Sequence, residues 1–268
     1  MAAKVDLYDG AYSNYGAEVY RQIRRETYGE DFGQTSWVTT EESSEIPGLL
    51  GLKANSTVLE VGCGAGGYAL QVARSVGCQI VGVDIHAAGV ENANQLAAAA
   101  GFAARVRFEQ CDASQRLAFA DGTYDAVFSN DVLCHIPARL NVLREMFRVL
   151  KPGGRMLFSD ALVVGGLVSH DDIATRSSIG LYVYSPPGEN ERLMEQAGFR
   201  SIRATDTTPN AARIAKQWHQ ARESRKNELV PIEGAANFEG LQRFLSCVHR
   251  LTAERRLLRY LYLAEKSA

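Results

Sequence analysis

The stretch "VLEVGCGAGG" at positions 58–67 constrains this chain more than any other. A short apolar run reads as a buried strand, and it stops against Gly62, Gly64, Gly66 and Gly67. Backbone stripped of side chains directly after a strand serves a tight turn into a helix and a close approach to a ligand. Gly62, Gly64 and Gly67 fit a GxGxxG spacing, which by itself suits any nucleotide-like ligand. Asp84 ends the next apolar run, 22 residues after Gly62, where a carboxylate can accept from both hydroxyls of a ribose.

Downstream, short apolar runs alternate with helical stretches, the pattern of parallel βαβ units. Strands are expected at 57–62, 79–85, 105–113, 124–130, 155–164, 200–207 and 257–266. Helices are expected at 68–77, 88–101, 139–154 and 191–199, with longer helical stretches around 209–228 and 237–255. The last carries Phe238, Leu241, Leu245, Val248 and Leu251 at helical spacing, a packing stripe. Ahead of the sheet, one helix is expected around 17–29. The expected fold is α/β: a doubly wound, mostly parallel seven-stranded sheet, Rossmann-like, with a helical cap over residues 1–50. The remaining domain, 51–268, is expected to carry lid insertions around 165–198 and 208–255.

A chain of 268 residues can bury one large core, and its net charge of −2 gives no reason to expect a nucleic acid or anionic membrane partner. No apolar run approaches the length of a membrane span, and "MAAKVDLYDG" has no signal-peptide core. Cys63, Cys78, Cys111, Cys134 and Cys247 show no metal-binding or disulfide spacing, so free thiols in the cytoplasm and no metal are expected. The partner is then a small molecule. Oligomeric state stays open, a homodimer being one option.

Two cofactors, NAD and S-adenosylmethionine, suit the glycine turn and Asp84. Glu60, two residues before the first glycine, favours the second, because a cationic sulfonium tolerates an acid that pyrophosphate would repel. Asp112 ends the third strand, within reach of an adenine amine, and Asn130 and Asp131 end the fourth. The ordered set "VLEVGCGAGG", "VGVDI", "CDA", "FADGTYDAVFSNDVLCHI" and "LKPGGRMLFSD" resembles the class I S-adenosylmethionine-dependent methyltransferases over roughly residues 50–165. The resemblance implies that Gly62, Cys63 and Gly64 lie against the methionine part of the cofactor, with Glu60 and Asn130 nearby. Asp84 would hold the ribose, Ile85 would lie beside the adenine, and Asp112 and Ala113 would meet its edge. S-adenosylhomocysteine would be the product.

Two further stretches, "AYSNYGAEVY" and "GEDFGQTSW", resemble the cap of phosphoethanolamine methyltransferases, and "SNDVLCHI" resembles their Asp-and-His catalytic segment. This implies a latch at Tyr12 and contact with the cofactor by Gln34 or Ser36, with Trp37 beside them. "SSIGLY" (177–182) is similar to the lid of sarcosine/dimethylglycine N-methyltransferases, and Tyr20, Arg176 and Tyr182 are candidate substrate contacts. Both groups methylate small amines. The phosphobase pattern breaks at Ala161 and Gly180, where residues that grip phosphate are expected.

Methyl transfer is an in-line displacement, and an amine or hydroxyl acceptor must also lose a proton. Asp131 and His135, four apart, share one face if their segment is helical, so Asp131 would orient the imidazole or hold an ammonium acceptor and His135 would take the proton. His86, His170, His219 and His249 stand alone in the sequence. The expected activity is transfer of a methyl from S-adenosylmethionine to a small-molecule amine. Alternatives are O- or C-methylation of a natural product, and a catalytically silent cofactor-binding domain.

Overall fold

A computed structural model describes residues 5–267. Three helices precede the sheet: α1 (Tyr8–Ser13), α2 (Glu18–Tyr28) and α3 (Thr40–Leu50). Periodicity announces only the second. The six-residue α1 is too short to show a period, and the start of α3 is marked by a capping box between Thr39 and Glu42. The alternating part follows: β1 (Thr57–Val61), α4 (Gly67–Val76), β2 (Gln79–Asp84), α5 (Ala87–Ala99), β3 (Val106–Gln110) and β4 (Tyr124–Asn130). A 3-10 turn at Leu133–His135 leads to α6 (Arg139–Val149) and β5 (Leu150–Val164). After α7 (His170–Arg176), α8 (Glu189–Ala197) and β6 (Arg200–Asp206) come α9 (Thr208–Glu223), α10 (Lys226–Glu233), α11 (Ala235–Ala253) and β7 (Leu257–Glu265).

The seven strands form one sheet in the order β3-β2-β1-β4-β5-β7-β6, with β7 antiparallel to both neighbours. This is the expected doubly wound sheet. Side chains along β1 alternate between its faces: Val58 packs with Leu50, Ala69 and Ala93, whereas Leu59 and Val61 pack with Met146 of α6 and Met194 of α8. A third cluster joins α2, α9 and α11 around Trp37 and Trp218.

Two expected boundaries shift. The helix expected to run to 154 stops at Val149, and Leu150 already pairs with Tyr124. Pro152 lacks the N–H a helix would need, so this stretch opens β5 instead. The long helical stretch around 209–228 divides at Ser224–Arg225, because α10 folds back until Glu233 meets the buried Arg222 at 2.6 Å.

β7 also carries a charge into the interior. Arg259 is fully buried, donating from Nε to Asp131 Oδ1 at 2.9 Å and from Nη1 to Glu42 Oε1 at 2.7 Å. Nη1 also meets Thr207 Oγ1 at 2.8 Å. Burial opposes this charge, and the carboxylates of Asp131 and Glu42 outweigh it, so the pKa is raised. Breaking a buried ion pair on one side typically costs about 3–5 kcal/mol. Arg259→Met is therefore expected to lower stability by about that amount, seen as a fall in the urea midpoint with an unchanged m-value.

Candidate active site

Strand order reverses between β1 and β4, and a cleft of about 520 Å³ opens at the carboxyl ends of these strands. Its floor is the turn after β1. Gly62 and Gly64 have φ of 77° and 51°, a region that penalises side chains. A Cβ on Gly64 would sit 2.8 Å from the Tyr12 hydroxyl, and one on Gly62 would run into Val132. Asp84 binds this turn to the next, accepting from the N–H of Gly64 at 2.8 Å and of His86 at 2.9 Å. Ile85, two-thirds exposed, lines the cleft beside Asp112 and Ala113. Hydrogen bonds from Ser114 hold the Asp112 carboxyl below the usual range.

Helix α1 crosses the mouth. Tyr8 and Tyr12, one helical turn apart, both face the cleft. Asp9 on the same helix meets His86 Nε2 at 2.6 Å, so this histidine is not isolated. Asn92 of α5 donates to the Tyr12 carbonyl at 2.8 Å. Burial, with the nearby Asp84 charge second, pushes the Tyr12 phenol upward.

The expected Asp131–His135 pair is arranged differently. Asp131 has φ of 57°, which breaks the chain before the 3-10 turn and prevents a shared helical face. Its carboxylate accepts from Arg259, from the Ser159 hydroxyl at 2.9 Å and from the Trp37 N–H at 3.0 Å. His135 instead meets the Tyr8 hydroxyl through Nε2 at 3.1 Å and the Leu181 carbonyl through Nδ1 at 3.0 Å. Because a carbonyl only accepts, Nδ1 carries the proton and Nε2 accepts from Tyr8. Burial first, then the positive charge of Arg176, drive the His135 pKa down to about 4. The imidazole is neutral at physiological pH.

Tyr12, the expected latch, holds its hydroxyl over the glycine turn, and the hydroxyl that meets His135 is that of Tyr8 on the same helix. The available signal was the spacing of four, which puts both rings on one face. Other candidates stand off the cleft. Gln34 turns its amide to the Phe32 N–H and the Glu30 carbonyl, while Ser36 lines the cleft. The Trp37 ring packs on Trp218 and Phe244, and the Tyr20 hydroxyl donates to Glu233 at 2.8 Å. Arg176 and Tyr182 sit behind the wall made by Ile179, Gly180 and Leu181, with the Tyr182 ring tilted against that of His135 at 4.4 Å between ring centres.

Residues 52–181 match the family described as a methyltransferase domain. The chain is 30% identical over 240 residues to the 27-O-demethylrifamycin SV methyltransferase of Amycolatopsis mediterranei, covering 84% of this chain and 86% of that protein. It is 28% identical over 214 residues to a phosphoethanolamine N-methyltransferase of Triticum aestivum, spanning 80% of this chain but 41% of that protein. Among solved structures, Haemonchus contortus phosphoethanolamine N-methyltransferase 2, in complex with phosphomonomethylethanolamine and S-adenosylhomocysteine, superposes with a TM-score of 0.81 at 22% identity. That match covers 97% of this chain and 60% of that one. A sarcosine dimethylglycine methyltransferase fold from Galdieria sulphuraria gives 0.77 at 21% identity, over 85% of this chain and 84% of the other. The chain belongs to the S-adenosylmethionine-dependent methyltransferases.

The floor of the cleft suits that cofactor. Glu60 is fully buried with neither carboxyl oxygen hydrogen-bonded, and the Asn130 amide nitrogen is also unpaired. Buried polar groups ordinarily have partners, and an amino-acid moiety lying along the bare glycine turn would supply them. Burial, then the Asp84 charge, raise the Glu60 pKa well above the carboxylate range, a cost that a cationic ligand would relieve. Asp84→Ala removes the acceptor of two backbone N–H groups, and calorimetry is expected to show S-adenosylhomocysteine binding about 10- to 100-fold weaker. For His135, ring NMR signals are expected to stay constant from pH 8 to about 5.5, whereas an ordinary histidine titrates near 6.5. Its lowered pKa makes the corresponding stability complete above about pH 6.5 and lost as pH falls toward 4.

Proposed function

We propose that this enzyme methylates a hydroxyl oxygen of a small molecule by in-line displacement, with His135 and Tyr8 as the proton-accepting pair. One observation carries the reading: the acceptor end of the cleft is a neutral His135 hydrogen-bonded to Tyr8 and set among Ile136, Pro137, Ile179 and Leu181. Among the described residues, no lysine or arginine lines the cleft, so a phosphorylated acceptor would find no cation there. The one carboxylate at that end, Asp131, is committed to Arg259 and positions the strand end instead.

S-adenosylmethionine supplies a methyl on a sulfonium, an electrophile that needs no further activation. The chain's own residues do the rest. Asp84 and the glycine turn hold the cofactor end of the cleft in shape, α1 shields the site from water, and His135 Nε2 draws the acceptor's proton by way of the Tyr8 hydroxyl. Kinship to the rifamycin O-methyltransferase over most of both chains supports the oxygen reading.

A second reading, N-methylation of a small amine, is supported by the relation to phosphoethanolamine N-methyltransferases. The stacked rings of Tyr8 and Tyr12 in the cleft could also receive an ammonium face-on. The five thiols are free and four are buried, in keeping with a cytoplasmic enzyme, and no helix among the described residues is long and apolar enough to cross a membrane.

Tritiated-methyl transfer to a panel of hydroxyl compounds and amines, with products identified by mass spectrometry, separates the two readings. Oxygen-linked methyl is expected, and label confined to nitrogen would replace the first reading with the second. Tyr8→Phe and His135→Gln are each expected to lower kcat by roughly 100-fold or more while leaving S-adenosylhomocysteine affinity unchanged.

A further inference from the structure

Behind the cleft wall lies a positive charge with no matching negative one. Arg176, at the end of α7, is 1% exposed. Its guanidinium faces three rings, with centroids 4.3 Å away in Tyr182, 5.1 Å in Phe244 and 5.7 Å in Trp37. Its Nη1 has no hydrogen-bond partner, and no carboxylate among the described residues pairs with it. The carboxylates of this region are taken: Asp131 by Arg259, Asp160 by Arg139 at 2.7 Å, and Asp172 by Arg250 and Arg256. The titratable groups facing Arg176 are Tyr182, Tyr184, Cys134 and Cys247, with His135 and Tyr8 one ring further on.

An unpaired buried cation is costly, and buried charges of this kind cluster at functional sites. Tyr182 lies against Arg176 on one side and, tilted by 36°, against the His135 ring on the other. The field of Arg176 therefore reaches His135 across the Tyr182 ring, away from bulk solvent, where screening is weak. Taken by itself this contribution favours an anion over an ammonium, and it opposes the negative contribution of Asp131, which shares the single guanidinium of Arg259 with Glu42.

Resting on the oxygen reading above, we propose that the acceptor is an acidic hydroxyl, phenolic or enolic, attached to an apolar body, and that Arg176 stabilises its oxyanion from behind Tyr182. The O–H bond breaks first, its proton passing through Tyr8 to His135 Nε2 and out to solvent at the mouth. A lone pair of the oxyanion then forms the O–CH₃ bond as the methyl–sulfur bond breaks, its electron pair remaining on sulfur. The positive charge of the sulfonium and the negative charge of the oxyanion cancel. Arg176 is a positioning residue here, acting through Tyr182 rather than by touching the acceptor.

The test uses 4-nitrophenol and 7-hydroxycoumarin, whose oxyanions absorb at longer wavelength, titrated with pH on enzyme saturated with S-adenosylhomocysteine. The bound probe is expected to ionise at lower pH than the free one. Arg176→Met should return its acidity toward the free value by about tenfold, and Arg176→Lys should retain most of the effect. A bound probe that ionises like the free one, a failure of both probes to bind, or an Arg176→Met enzyme with unchanged probe acidity would each overturn the proposal. Failure of the underlying reading has a different signature: label only on amine nitrogen in the transfer panel, or full turnover in Tyr8→Phe and His135→Gln.

Discussion

Arg259 ties together parts of the chain that no local signal connects. Its guanidinium reaches from β7 to Asp131 at the end of β4, to Glu42 on α3 and to Thr207 at the entry to α9. One fully buried cation thus sets where the cap, the end of β4 and the late helices meet. Two carboxylates against one guanidinium leave net negative charge in the interior, which the hydrogen bonds from Ser159 and the Trp37 N–H help disperse. Because Asp131 is pinned here, the segment after it must turn, and that turn aims His135 at Tyr8.

The site is accordingly assembled from remote pieces. Asp84 couples the first two turns of the sheet, α1 brings Tyr8, Asp9 and Tyr12 across the mouth, and the loop at 177–182 closes the far wall. Each contact is modest alone. Together they make a cleft whose far end holds a neutral imidazole hydrogen-bonded to a tyrosine hydroxyl. The buried charges near the far wall do not balance pair by pair: Asp131 and Glu42 share one guanidinium, and Arg176 sits among aromatic rings.

Most of the sheet was legible beforehand, because its signals are local. The period of apolar residues, the glycines after β1, the acid ending β2 and the one just past β3 are fixed by neighbours in the chain. The errors came where distant residues decide. Pro152 looked like the end of a helix, yet pairing of Leu150 with Tyr124 makes that stretch the start of β5. Gln34, Trp37 and Tyr20 looked suited to the cleft, but Trp218, Phe244 and Glu233, all distant in sequence, draw the last two away.

By itself, then, the sequence determined a doubly wound sheet with a glycine turn at Gly62–Gly64 and an acid at Asp84, since both are products of short-range geometry. It also brought His135 to the end of β4. Only the tertiary structure decided which group His135 would meet. Asp131 lies four residues away and Tyr8 lies 127 away, but a left-handed backbone and the pull of Arg259 turn Asp131 aside. Spacing along a chain cannot report a partner that arrives from the other end of it.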